Sequence, residues 1–188
     1  MNNKRIVKKE LMNNRFSNRS KEKINKNDLK KLGIIANQDR NEFFERNPKW
    51  KRLYHKRILC VALCQGAALH YVNSKNGIKD FDVWTFYKKH LKYPFPYRRI
   101  GYKDYGHSKF GVHPHLKNNY KGRKVDLIGR SIPFNKTETI IETLQNYLKE
   151  CRTQSAKFLS QKAVVIIEPK KYLGKIIWSK YKVSNKRT

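Results

Sequence analysis

The sequence predicts an α+β domain in which helices pack on a mixed β-sheet of three to five strands. Three features carry that expectation. Apolar runs of strand length recur at residues 58–64, 80–87, 124–128 and 163–167, bounded by Gly, Pro or charged residues. Longer stretches at 28–57 and 135–161 repeat their apolar residues at helical spacing. Along the chain these follow one another as helix, strand, glycine turn, strand, loop, strand and helix, which is the mixture of an α+β domain.

Residues 1–27 hold nine Lys or Arg and two Glu. With few apolar side chains to bury, they read as a disordered basic arm whose removal leaves the core folded. The folded domain is expected over residues 28–178, with a basic tail at 179–188. Leu29, Leu32, Ile34, Ile35, Phe43 and Phe44 mark the first helix. Asn47-Pro48 then sets a cap and a proline at the first helical position, and Trp50, Leu53 and Tyr54 share one face of the helix that follows. The run Ile58 to Cys64 is continuously apolar and suits a central strand covered on both faces. Gly66 permits a tight turn and close approach of backbone to a ligand. Ala67 to Tyr71 reads as a short helix whose first amides point back at that ligand. Two prolines in Tyr93-Pro94-Phe95-Pro96-Tyr97 exclude a central strand. Residues 100–122, with four glycines, read as an irregular loop bordering the site. The stretch 135–161 is one amphipathic helix covering a sheet face, Pro169 ends the strand after it, and Ile176 to Trp178 form a last apolar patch.

The chain carries 44 Lys and Arg against 14 Asp and Glu, a net charge of +30 over 188 residues. Such an excess argues for a polyanionic partner, with RNA, DNA or an anionic surface all open and RNA expected ahead of DNA; the alternative is an AT-rich codon bias that favours Lys and Asn. Tyr97 beside Arg98 and Arg99 offers base stacking with phosphate contact, or else Tyr93, Phe95 and Tyr97 pin a loop to the core. Cys60, Cys64 and Cys151 have no paired spacing and read as thiols of a reducing, cytoplasmic compartment, not as metal ligands. His70 reads as an ordinary surface or packed histidine, and His107, His113 and His115 lack the paired Cys or His-x-x-x-His spacing of a ligand set. No apolar stretch approaches the ~20 residues of a membrane span, and no secretory leader is expected.

The chemistry is concentrated in carboxylates. Asp80 and Asp82 alternate with Phe81 and Val83, so in a strand they stand on one face. Two like charges so placed repel unless a cation lies between them, and a divalent ion bound through oxygen is the natural one. Asp126, between Val125 and Leu127, adds a third carboxylate if its strand lies alongside. Arg130 follows closely in sequence, to reach a triphosphate or to neutralise the carboxylates.

Gln65-Gly66-Ala67, then Asp80-Phe81-Asp82-Val83, then Asp126 on a later strand resembles the nucleotidyltransferase superfamily over roughly residues 58–130. Ala67 stands where that family has Gly or Ser, and Gln65 where it has an apolar residue. The resemblance implies a nucleotidyltransferase-like α+β fold and Mg-dependent transfer of a nucleoside monophosphate from a nucleoside triphosphate to a hydroxyl acceptor, RNA by the charge. It implies that Asp80, Asp82 and Asp126 are catalytic and hold two Mg²⁺ ions, with the nucleotide at Gly66, Ala67 and Arg130. A non-catalytic RNA- or DNA-binding protein on the same fold is the alternative, and a partner-binding module is a third.

Overall fold

The computed structural model describes residues 19–96, 98–113 and 120–181. Helix α1 (Lys26–Arg46) starts at a reciprocal cap. The Asn25 side chain accepts from the amides of Asn27 and Asp28, and the Asp28 carboxylate accepts from the Asn25 amide, an arrangement worth ~1 kcal/mol. Pro48 opens α2 (Pro48–Tyr54), and a 3₁₀ turn at His55–Arg57 leads into β1 (Ile58–Cys64). There follow α3 (Gln65–Asn73), β2 (Phe81–Lys88), β3 (Arg98–Asp104), β4 (Lys124–Ile132), α4 (Ile140–Glu150), α5 (Gln154–Leu159), β5 (Ala163–Glu168) and β6 (Ile176–Ser179).

The strands form one mixed sheet in the order β3-β4-β2-β1-β5-β6. β2 and β4 run parallel, and every other neighbouring pair is antiparallel. The central strands are apolar on both faces because both are covered. Val61, Leu63, Phe81, Val83, Val125, Leu127, Val165 and Ile167 pack beneath α1 and α3. Cys60, Ala62, Trp84, Phe86, Ile128, Val164 and Ile166 pack beneath α4 and α5, which bring Leu144, Leu148 and Leu159. Each such side chain contributes roughly 1.5–3 kcal/mol of burial. A smaller aromatic cluster of Phe44, Tyr54, Tyr87 and Phe95 ties α1 and α2 to the far end of β2. Phe95 lies so close to β4 that only a glycine fits at residue 129, where a Cβ would stand 2.6 Å from its ring.

The α+β class and the mixed sheet are as expected, but the sheet has six strands. Two were not expected as strands: β6, read only as an apolar patch, and β3, inside the stretch read as irregular. The β3 sequence is polar and carries Gly101, so no apolar alternation marks it. It is an edge strand entered after Pro94 and Pro96, where proline is tolerated. The long helix expected over 135–161 is two helices. Cys151 takes a left-handed φ of 51° at the end of α4, and the Thr153 side chain caps α5. The expected arm also divides differently. Residues 1–18 lie outside the described residues, whereas 19–27 belong to the fold. Ser20 and Ile78 exchange two backbone hydrogen bonds, and Ile24 is buried in the core. Among the described residues no helix is long and apolar enough to cross a membrane.

Candidate functional site at the β1–α3 elbow

The central strands β1, β2 and β4 meet at one end of the sheet, and side chains alternate between its faces. Cys64 of β1 is paired with Asp82 of β2, and Asp82 with Asp126 of β4. The three form a row on the α4/α5 face. Asp82 is half-buried and Asp126 is 2% exposed. A carboxylate that deep loses its hydration and needs a charged partner. Lys124 provides it: its ammonium lies 3.1 Å from Asp126 Oδ1, on a side chain itself only 13% exposed. The same ammonium sits 3.6 Å from the centre of the Tyr102 ring, a cation–π contact that helps hold it. Burial, and then the charge of Asp82, push the Cys64 thiol well above its ordinary range, so Cys64 stays protonated and offers no thiolate.

The turn from β1 into α3 is sharp. Gln65, not Gly66, takes the left-handed φ, at 60°. Its buried side chain donates from Nε2 to the Phe158 carbonyl at 2.6 Å, while its Oε1 is buried without a hydrogen-bond partner. Gly66 faces open space, with no atom within 4 Å of where a Cβ would stand. The amides of a helix's first turn have no intrahelical acceptor, and those of Gly66 and Ala67 belong to that turn of α3. The Ala67 methyl points the other way, into the core under the sheet, and is 1% exposed. A hydroxyl at that position would enter the core.

Asp80 precedes β2 rather than opening it. Its charge acts on Arg123 and His113, raising both against the burial that lowers them. Arg123 is buried and fixed by donation from Nε to the Phe110 carbonyl at 2.7 Å. The expected convergence therefore holds for Asp82 and Asp126 as a register pair, and not for all three carboxylates. Among the described residues no three His, Cys, Asp or Glu side chains are grouped to hold a metal ion. Arg130 shares the face of Asp126 but stands four residues along β4, about 13 Å away at the strand rise, opposite Phe86. The backbones of Arg98 and Arg99 pair with Gly129 and Ile128 on the edge strand, and Tyr97 lies outside the described residues. Lys124, Arg123 and Gln65 were missed from sequence. Only Lys124 carried a signal, since it stands two residues before Asp126 in a strand and so on the same face.

Neither models of protein families, nor curated proteins, nor solved structures include a match to this chain.

Proposed function

We propose that the protein transfers a nucleoside monophosphate from a nucleoside triphosphate to a hydroxyl of an RNA acceptor. The observation that carries this reading is the register pair Asp82–Asp126 beside the β1–α3 elbow, where open space lies over the Cα of Gly66. Mg²⁺ is ordinarily held by one or two carboxylates together with substrate phosphates and water, not by an all-protein cage. Asp82 and Asp126 fit one such ion arriving with a triphosphate, and Asp80 is the third carboxylate of the nucleotidyltransferase pattern. The ion supplies charge neutralisation at the phosphates. The amides of Gly66 and Ala67 donate to the triphosphate oxygens, and Lys124 adds a cation beside them. The acceptor hydroxyl attacks the α-phosphorus in line, the bond to the β-phosphate oxygen breaks, and pyrophosphate leaves; the hydroxyl proton passes to a carboxylate of the site. Catalysis of this kind is mostly positioning and electrostatics.

The test is transfer of label from α-labelled triphosphates to RNA with Mg²⁺. Wild type should incorporate label, and Asp82→Asn should lose incorporation while keeping its circular dichroism spectrum. Full incorporation by Asp82→Asn would refute the reading. One observation favours the second reading, a non-catalytic nucleic-acid-binding protein: Lys124 already neutralises Asp126 from within the chain. Absence of Mg²⁺-dependent binding of any nucleoside triphosphate would select it.

A further inference from the structure

The other end of β2 carries a feature that the carboxylate site does not use. Arg57, Lys88, Lys89, His90, Leu91 and Phe134 line an open cleft of ≈ 610 Å³ that no carboxylate lines. Among the described residues, none of its Lys and Arg side chains takes part in an ion pair. The sequence explains the one-sided charge, because no acidic residue occurs between Glu45 and Asp80 or between Asp82 and Asp104. Apolar and aromatic faces lie among the cations. Leu91 is 98% exposed, and Lys88 Nζ is 5.3 Å from the centre of the Phe134 ring. Beside the cleft, Tyr93 is 46% exposed, with its ring 5.5 Å from that of His90 and Lys49 Nζ 5.4 Å from its centre.

The surface is also fixed in place. The Tyr54 hydroxyl, on α2, donates to the Tyr93 carbonyl at 2.6 Å and accepts from the His90 amide at 3.1 Å. His90 Nδ1 accepts from the amides of Lys92 and Tyr93. A preformed platform has little ordering left to lose on binding.

Cations set about the exposed Tyr93 ring and the half-buried Phe134 ring fit one ligand chemistry: phosphates repeating along a strand whose bases are free to stack. A duplex keeps its base faces covered. We propose that this cleft binds single-stranded nucleic acid, with phosphates on Arg57, Lys88 and Lys89 and bases on Tyr93 and Phe134. Lys88 is six residues from Asp82 along β2, about 20 Å at the strand rise, so the cleft is separate from the carboxylate site and its occupancy does not rest on the transfer reading.

The test is fluorescence anisotropy with the full chain, using short single strands of RNA and of DNA, a duplex of equal length, and anionic phospholipid vesicles. Wild type should prefer single strands. Lys88→Gln/Lys89→Gln should weaken binding about tenfold and lower the logarithmic salt slope by about 1.4, the value for two lost phosphate contacts. Lys89→Gln/Leu91→Gln alters two exposed side chains and guards against misfolding of the first pair; it should lower the slope by about 0.7. Tyr93→Ala should weaken binding about tenfold with the slope unchanged, as loss of a stacked base requires. Lys170→Gln/Lys171→Gln removes the same charge elsewhere and should change affinity little. Asp82→Asn should bind as wild type, which keeps this result distinct from any failure of transfer. Equal losses from the cleft and control pairs, preference for duplex, or capture of vesicles without oligonucleotide binding would each overturn the proposal.

Discussion

Replacing Lys124 by Met tests whether the buried charge at the carboxylate row is compensated from within the chain. At 3.1 Å and an effective dielectric constant near 20, the Lys124–Asp126 attraction is about 5 kcal/mol before desolvation is subtracted. Methionine keeps an unbranched stem but deletes the ammonium, leaving a nearly inaccessible carboxylate without it. Breaking such a pair from one side costs about 3–5 kcal/mol, a large share of the roughly 5–15 kcal/mol that holds a domain together. Removing both charges, as Lys124→Met/Asp126→Leu, should restore most of that loss, because the desolvation penalty disappears with the charges. Urea unfolding followed by circular dichroism, read as a double-mutant cycle, measures both effects. Mg²⁺ adds a further readout. If Asp82 and Asp126 take the ion, Lys124→Met should be stabilised by about 2.7 kcal/mol at a hundredfold excess over the dissociation constant, and Lys124→Met/Asp82→Asn should not. A single mutant costing under about 1 kcal/mol, or a double mutant no better than the single, would refute the compensation argument.

Two further expectations concern buried groups. His70 accepts from the Gly77 amide at Nδ1 and bonds the Glu22 carbonyl through Nε2; burial, aided by Lys21, lowers its pKa below 6.5. The unfolded chain therefore takes up the proton first: stability should be complete above about pH 6.5 and fall as pH drops through the folded value. Urea midpoints from neutral to mildly acidic pH check this, and His70→Gln should flatten the profile, leaving the share of His113, which burial lowers in the same way. Ala67→Ser places a hydroxyl in the core and should cost about 1–3 kcal/mol without tightening nucleoside triphosphate binding; titration with labelled ATP showing tighter binding would contradict the orientation of Ala67.

Where apolar pattern decides structure, the chain was readable. The run from Ile58 to Cys64 is β1 to the residue, and alternation correctly set Asp126 apart from Val125 and Leu127. Pattern fails where a decision is three-dimensional. Asp80 and Asp82 share a parity, but β2 begins at Phe81, so parity did not bring Asp80 into the row. Gln65 adopts a left-handed backbone beside a glycine that does not, because α5 holds its side chain. β3 has no apolar alternation, since an edge strand owes its place to hydrogen bonds from β4. Cys151 ends α4 inside an unbroken helical period, and only the Thr153 cap restarting the next helix betrays the break.

The pairing of Ser20 with Ile78 determines how the protein can be shortened. A cut after Asn27, the boundary that composition suggests, discards Ile24 from the core, the Asn25 cap of α1 and the Glu22 carbonyl bound by His70. It would test folding, not charge. A cut after residue 18 keeps all three and removes Lys4, Arg5, Lys8, Lys9 and Arg15 with Glu10, a net +4. Because Ile78 lies two residues before Asp80, the Ser20–Ile78 pairing puts the start of the described chain at the carboxylate end of the sheet. The shortened chain is therefore the one in which a change of salt slope reports the arm alone.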